Sequence, residues 1–334
     1  MKDDARKRVF SGIQPTGELH LGNYLGAVTN WVALQETHDA FFCIVNLHAM
    51  TMPWDASELE GQTIRTGASL LACGIDPARA VLFVQSDVAE HSELAWVLTC
   101  VARMGELRRM IQFKERSKGE SESVGVGLFT YPVLQAADVL LYQAHGVPVG
   151  EDQRQHIELM RDLGIRFNQA FGDTFVLPEA FIPPRGARIM ALDDPTQKMS
   201  KSAGRPASSI LLTDPAEAVA KKIRSAVTDS GREVVSGPDK PALTNLLGIY
   251  SLLTGASVEA LQDRFEGSGY GDFKKAMGEE VAAALAPIRE RYAELVADPA
   301  ETARLLTTGA GKARAVAADT MAAVRSATGL GSRS

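Results

Sequence analysis

Two polar segments, far apart in the chain, contain residues suited to binding a polyphosphate. The first, GELHLGNYLG at 17–26, combines three glycines, which let a ligand approach the backbone closely, with the donors His20 and Asn23. A helix beginning there would also present unpaired N–H groups to an anion. The second, KMSKS at 198–202, supplies two lysines that suit the charge on a departing phosphate. Separately, the segments also fit a capped turn and a solvated basic loop; together they favour a nucleotide site.

The elements around these segments alternate between strand and helix patterns. Short apolar runs predict strands at 8–13, 41–50, 80–85, 147–150 and 187–192. Periodic apolar spacing predicts helices at 21–36, 55–73, 92–104 and 151–169. This alternation is typical of a doubly wound parallel sheet, where ligands bind at the carboxyl ends of the strands. We therefore expect an α/β, Rossmann-like domain over residues 1–206.

Beyond residue 206 the strand pattern disappears and the apolar spacing becomes helical. We expect an all-helical domain at 207–300 and a C-terminal helix within 301–334 that packs back on the body. In the first half, the Gly/Ser-rich segment 117–127 predicts a loop.

The charge balance argues against a protein that coats polyanions in general, because 35 Lys and Arg face 41 Asp and Glu, a net charge of −6. Local basic segments still leave nucleic acid contact open. They are KKIRS at 221–225 and the residues Lys312, Arg314 and Arg325. A solvated helix face explains the same charges.

The three cysteines, Cys43, Cys73 and Cys100, each lie in an apolar stretch, so we expect core residues and neither a disulfide framework nor a zinc site. No apolar run approaches the roughly 18–20 residues of a membrane span. The charged N-terminus does not resemble a signal peptide. These features predict a cytoplasmic protein with no membrane partner and no protein-bound metal.

The HLGN turn (20–23) and KMSKS resemble the two nucleotide-binding motifs of class I aminoacyl-tRNA synthetases. Further segments, spread over essentially the whole chain, narrow the resemblance to the bacterial tryptophanyl-tRNA synthetases. They are FSGIQPTG at 10–17, YPVLQAADVLLY at 131–142, VPVGEDQRQHIEL at 147–159, KKIRSAVTDS at 221–230, NLLGIYSLLTG at 245–255 and FEGSGYGDFK at 265–274. The resemblance implies activation of L-tryptophan with ATP, release of pyrophosphate, and transfer of tryptophan to the 3′ end of its tRNA.

The resemblance also implies which residues meet ATP. The expected ATP-binding residues are Gln14, Pro15, Thr16, Gly22, Asn23, Gly150, Glu151, Asp152, Ile189, Lys198, Met199, Ser200, Lys201 and Ser202. The expected catalytic residues are Lys198, Lys201, Asn23 and His20. Mg²⁺ is expected on the phosphates, held mainly by them and by water.

Asp138 stands in an otherwise apolar run, AADVLL, where burying a lone carboxylate is costly unless donors surround it. An indole N–H is a donor only, so a buried acceptor fits it; by resemblance, Asp138 makes that contact. The remaining residues implied for tryptophan are Phe10, Tyr131, Gln135, Val147, Val149, Gln153 and His48. Core packing also explains Phe10 and the valines, a structural role explains His48, and a cap or salt bridge explains Asp138.

Two features depart from the family pattern. Ala203-Gly204-Arg205-Pro206 replaces an Asp-Pro after KMSKS, and Arg116 stands where a family lysine can reach the γ-phosphate. Neither change touches the core motifs.

Three alternatives remain open. They are a tyrosyl-tRNA synthetase, a non-catalytic nucleotide- or tRNA-binding paralogue, and a small nucleotidylyltransferase. The partners that the resemblance implies are L-tryptophan, its tRNA, and a second copy of the chain that forms a homodimer through the helix at 92–104.

Overall fold

Five strands in the described residues form one parallel sheet. The computed structural model describes residues 6–110, 125–148, 153–181, 188–200 and 205–331. The strands are β1 (Arg8–Ile13), β2 (Asp39–Ile44), β3 (Ala80–Val84), β4 (Gly146–Pro148) and β5 (Glu179–Phe181). Their order across the sheet is β3-β2-β1-β4-β5, so the connections reverse direction between β1 and β4. Such a reversal opens a crevice at the strand ends, and the predicted doubly wound α/β plan is confirmed.

Helices cover both faces of this sheet. Those of the first half are α1 (Leu21–Asn23), α2 (Thr29–Thr37), α3 (Asn46–Ala49), α4 (Ala56–Ala72), α5 (Glu90–Val101), α6 (Met104–Arg108), α7 (Val126–Leu140) and α8 (Arg154–Phe171). A π-helical turn, Tyr24–Val28, joins α1 to α2, so the helix predicted at 21–36 is continuous but not uniformly α. Asp55 caps α4 by accepting from the backbone N–H of Ser57, as the cap chemistry predicts.

The second half is helical among its described residues. Its helices are α9 (Ala216–Ser225), α10 (Pro241–Thr254), α11 (Val258–Arg264), α12 (Tyr270–Ala297) and α13 (Pro299–Thr328). One core cluster joins Phe42 and Leu82 of the sheet to Leu246, Phe273 and Leu285 of these helices. The neighbouring strand residues Phe41 and Phe83 belong to a second cluster on the opposite face. The helical region therefore completes one side of the sheet's core.

Two strand predictions were wrong in detail, and one strand was missed. The strand predicted at 41–50 ends at Ile44, because Asn46 and Leu47 turn into α3 and bond the segment after β3. The strand predicted at 187–192 does not join the sheet; Met190 pairs instead with Lys198 in an antiparallel bridge. Strand β5 was not predicted, and its three residues are exposed. Backbone pairing depends on distant partners, which an apolar run does not reveal.

Cys100 corrects another prediction. Cys43 and Cys73 are buried as expected, but Cys100 is exposed. It lies one turn after Trp96 on α5, and Trp96 is 70% exposed. The apolar residues of this helix therefore occupy its outer face as well as its inner one.

The C-terminal helix α13 lies against the edge strand β3. Arg325 pairs with Glu93 of α5, with Nε 2.8 Å from Oε1. Lys312 donates to the Pro77 carbonyl at 3.0 Å, and Arg314 donates to the carbonyl of Asp87. Lys312, Arg314 and Arg325, which the sequence offered as candidates for contact with nucleic acid, thus contact the protein itself. In the described part of the chain, no helix combines the length and apolar character of a membrane span.

Gly309 sets how closely α13 approaches β3. A Cβ at this position would overlap the carbonyl oxygen of Leu82 and lie 2.7 Å from its carbonyl carbon. A Cβ at Gly311, on the same helix, would have no neighbouring atom within 4 Å. The absent side chain at Gly309 is therefore a packing requirement.

We expect Gly309→Ala to lower the free energy of unfolding by about 1 to 3 kcal/mol, because the helix must move away from the strand. Gly311→Ala is the matched control and should stabilise by roughly 0.5 to 1 kcal/mol, since alanine restricts the unfolded chain. Urea denaturation of both variants measures this. Equal effects at the two positions would contradict the close approach.

Candidate active site

The crevice between β1 and β4 holds the first polar segment. The chain leaves β1 at Ile13, turns at Gln14, where the carbonyl accepts from Thr16 N–H at 2.9 Å, and reaches Gly17. Gly17 has φ +79°, a conformation that favours glycine. Thr66 of α4 clamps this turn: its hydroxyl accepts from Gly17 N–H and donates to Gly17 C=O, both at 3.1 Å. The turn is thus held by its own backbone and by a buried threonine.

His20 and Asn23 cap the helix that follows. The Nδ1 atom of His20 accepts the Asn23 N–H at 3.3 Å, and the Asn23 amide oxygen accepts the His20 N–H at 3.2 Å. An accepting Nδ1 places the imidazole proton on Nε2. The remaining donors of the two side chains are the His20 Nε2–H and the Asn23 amide NH₂. These are groups that suit a phosphate.

The KMSKS segment packs directly on this turn. A Cβ added at Gly22 would lie 3.3 Å from the Cβ of Met199. On the other side of the turn, Leu21 N–H donates to Ile210 C=O at 2.8 Å, and Leu212 N–H donates to Leu19 C=O at 2.9 Å. The structure therefore brings together the two motifs that the sequence separates by more than 170 residues.

A hairpin presents the start of KMSKS. Met199 N–H donates to Ile189 C=O at 3.0 Å, and Met190 bridges to Lys198. The side chain of Asn245, on α10, accepts the Met190 N–H at 2.9 Å and donates to the Met190 C=O at 3.0 Å. Asn245 thus acts as a neighbouring strand would, and it ties the hairpin to the helical region.

The predicted ATP-binding residues divide into two groups. Gln14, Thr16 and Lys198 are exposed, Gly22, Asn23 and Ser200 are half-buried, and Pro15, Ile189 and Met199 are buried. Gly150, Glu151, Asp152, Lys201 and Ser202 lie outside the described residues, as do Val149 and Arg116. The described members surround the contact between the HLGN turn and the hairpin. Their roles remain predictions.

Asp138, on α7, is the buried carboxylate of the crevice, with only 2% of the residue exposed. Its Oδ1 accepts from Gln85 Nε2 and from His91 Nδ1, both at 2.7 Å. Its Oδ2 accepts from His48 Nε2 at 2.8 Å. Every one of these donors comes from another element, namely α3, α5 or the turn after β3. The apolar run AADVLL therefore carries a fully supported acceptor.

These donors keep Asp138 ionised. Burial by itself would raise the pKa of the carboxyl, but the electrostatic effect of His48 and the hydrogen bonds from His48 and His91 outweigh it, and the pKa lies below its ordinary value. A buried carboxylate of this kind accepts hydrogen bonds and does not donate them.

The other residues predicted for tryptophan differ in their burial and in their contacts. Tyr131 is half-buried, with its ring 6.3 Å from that of His48 and its hydroxyl 3.0 Å from His156 Nε2. Phe10 and Val147 are buried on the adjacent strands β1 and β4. Gln135 and Gln153 are half-buried.

His48 was expected near the substrate carboxylate, on a strand end. It lies instead in α3 and its Nε2 contacts Asp138. The contact with Asp138 was not predicted, and the role of His48 toward tryptophan stays a prediction.

Sequence reasoning also missed the residues that support the site: Thr66, Gln85, His91, Tyr142 and Asn245. His91 and Asn245 carried a usable signal, because each is a polar residue on the buried side of an apolar helix. Their partners lie 47 and 55 residues away along the chain, which no local pattern indicates.

The polar groups of the crevice are hydrogen-bond donors, which suit a phosphate better than a metal ion. Among the residues that the structure describes, no group of three or more His, Cys, Asp and Glu is arranged to hold a metal ion. The crevice instead presents amide, imidazole and ammonium groups, which are donors.

A parallel sheet whose HLGN turn packs against KMSKS is the arrangement expected of a class I aminoacyl-tRNA synthetase. The family described as tRNA synthetases class I (W and Y) matches residues 2–286 of this chain. A tryptophan–tRNA ligase from Mycobacterium leprae is 55% identical over 322 residues, 94% of each chain. The chain belongs to this family, among its tryptophanyl-tRNA synthetases.

Solved structures agree. The crystal structure of tryptophanyl-tRNA synthetase from Mycoplasma pneumoniae superposes with a TM-score of 0.89 at 36% identity, covering 98% of both chains. That of the Campylobacter jejuni enzyme complexed with ADP and tryptophan superposes with a TM-score of 0.84 at 39% identity, covering 97% of this chain and 100% of that one. The likeness extends over both halves of the chain.

Because the pKa of Asp138 is lowered, its ionised form stabilises the fold. That contribution is fully present above the ordinary carboxyl pKa of about 4 and is lost as the pH falls below it. We expect Asp138→Asn to lower the free energy of unfolding by about 2 to 3 kcal/mol near pH 7. The difference from wild type should shrink below about pH 4. Urea denaturation across this range measures it; a difference independent of pH would contradict the assignment.

Proposed function

We propose that this chain is a tryptophan–tRNA ligase that recognises its amino acid through Asp138. The observation that carries the proposal is the buried, ionised carboxylate with a low pKa, beside the buried apolar residues Phe10 and Val147. An indole needs one acceptor and otherwise apolar surroundings. The hydroxyl oxygen of tyrosine also accepts a hydrogen bond, and an apolar slot would leave that oxygen without a donor. The tryptophan–tRNA ligase from Mycobacterium leprae supports the same substrate.

The first half-reaction joins tryptophan to ATP. The tryptophan carboxylate attacks the α-phosphorus, its oxygen bonds to phosphorus, and pyrophosphate leaves with the electron pair of the broken bond. Since the attacking carboxylate is already ionised, no general base is required. Positioning and charge stabilisation by Lys198, Lys201, and the donors of His20 and Asn23 account for the catalysis. Mg²⁺ enters as part of the ATP substrate and neutralises phosphate charge.

In the second half-reaction a hydroxyl of the terminal ribose of the tRNA attacks the carbonyl carbon of tryptophanyl-adenylate. An ester bond forms, AMP leaves with the electron pair of the broken acyl–phosphate bond, and the hydroxyl proton is released. We assign the anticodon to the helical region at 207–300, where Lys221 and Arg224 of α9 are exposed and positively charged. We infer a cytoplasmic location from this activity.

The test of the function is ATP–pyrophosphate exchange with tryptophan and tyrosine in parallel. Exchange with tryptophan alone is expected, because only the indole matches an acceptor in an apolar slot. Exchange with tyrosine would overturn the assignment of the pocket, and exchange with neither would favour a non-catalytic nucleotide binder.

Lys201→Ala should lower the rate of tryptophan activation at least about 100-fold, because its ammonium stabilises charge that develops on the leaving pyrophosphate. The KM for tryptophan should change little, since the role proposed for this lysine is toward the phosphates and not the amino acid. Lys221→Ala, which removes an exposed lysine of α9, is the control and should leave exchange unchanged. Near-normal turnover in Lys201→Ala would exclude the role.

A homodimer completes the proposal. Trp96 and Met104 are 70% and 59% exposed, and Cys100 between them is exposed as well. Exposed apolar residues at nearby positions of α5 and α6 favour an association surface here. Sedimentation equilibrium should give twice the mass of the chain, and Trp96→Glu should give the mass of one chain. An active wild-type monomer would rule the dimer out.

A further inference from the structure

We propose that Gln85, His91 and Tyr142 form a positioning layer behind Asp138 that occupies Oδ1 and reserves Oδ2 for the indole N–H. The inference rests on the proposed function, because it takes Asp138 as the acceptor for tryptophan. It adds the residues that aim the carboxylate and the oxygen that accepts.

The two carboxylate oxygens of Asp138 accept different numbers of hydrogen bonds. Each oxygen of an ionised carboxylate offers about two acceptor sites. Oδ1 receives two short hydrogen bonds, from Gln85 and His91, both at 2.7 Å. Oδ2 receives one, from His48 at 2.8 Å. The remaining acceptor site on this carboxylate therefore belongs to Oδ2.

The contacts of His91 determine which of its ring nitrogens carries the proton. Its Nδ1 donates to Asp138, so Nε2 of the neutral ring is an acceptor, and Tyr142 OH lies 2.8 Å from it. Burial raises the pKa of the Tyr142 hydroxyl, which keeps its proton available for this bond. His91 and Tyr142 are both fully buried. The tyrosine thus fixes the tautomer that the carboxylate needs.

The positioning layer also contacts other residues of the proposed pocket. The Tyr142 ring stacks on Phe10, with centroids 5.4 Å apart and planes within 10°. Gln85 accepts the Leu47 N–H at 3.1 Å through its amide oxygen while its NH₂ donates to Asp138. Leu47 precedes His48 in α3. The layer therefore aligns the carboxylate, the histidine beside it and an apolar wall as one unit.

The variants at His91 separate positioning from packing. The Nδ2 atom of asparagine occupies nearly the place of histidine Nδ1, so His91→Asn retains the donor to Asp138. His91→Leu removes it. Leu98→Ala, a buried change on the same helix α5, is the control for stability alone.

The measurement is kcat/KM in pyrophosphate exchange for tryptophan relative to 3-(benzothiophen-3-yl)-L-alanine, in which sulfur replaces the indole N–H. We expect His91→Leu to lower this preference about tenfold, the size of one hydrogen bond to a charged group. His91→Asn should stay near wild type, and Tyr142→Phe should lose about threefold. Leu98→Ala should leave the preference unchanged whatever its stability.

Asp138→Asn distinguishes a failure of the proposed pocket from a failure of the positioning layer. If it leaves the preference unchanged, the pocket of the proposed function is wrong. If it abolishes the preference while His91→Leu preserves it, the positioning layer is overturned and the function stands. Should His91→Leu fail to fold, Gln85→Met and Tyr142→Phe decide the question: a wild-type preference in both would overturn the layer, and a loss in both would support it.

Discussion

A carboxylate that is almost entirely buried dictates the arrangement of this protein's first half. Ionised Asp138 cannot exchange its hydration for an apolar surrounding without replacing the hydrogen bonds that water supplied. The replacements come from Gln85, His48 and His91, which lie on three different elements. Each of those elements must therefore reach the same point at the carboxyl end of the sheet. The ordered crevice is a consequence of satisfying one charge.

The nucleotide half of the crevice follows a different rule, the satisfaction of backbone groups. Thr66 clamps Gly17, and the chain around Leu21 pairs with the chain around Ile210. Asn245 replaces a missing neighbouring strand for the hairpin at Met190. The bonds that join Leu21 to Ile210 and Met190 to Asn245 cross between the sheet region and the helical region. The position of KMSKS is thereby linked to the helices that we assign to the tRNA.

Much of this architecture was readable from local pattern. Buried parallel strands have continuous apolar runs, so β1, β2 and β3 were predicted, as were most helices and the motif glycines. The short strand β5 and the hairpin at 188–192 were not, since three exposed residues or a single bridge have no distinctive pattern. The proposal that Asp138 is a site residue followed from an anomaly, a charge in an apolar run, but the hydrogen-bond partners of Asp138 could not be predicted. Hydrogen-bond partners are selected by the packing of whole elements.

The sequence by itself determined the class of fold, the family, the motif residues and the presence of one anomalous carboxylate, because periodicity and residue chemistry are local properties. Only the tertiary structure decided that His91 and Gln85 saturate one oxygen of Asp138, that α3 replaces the end of a strand, and that Gly309 is required where α13 meets β3. These facts depend on which atoms meet across long stretches of chain. Burial strengthens these hydrogen bonds and close contacts, and whether a residue is buried depends on the complete fold.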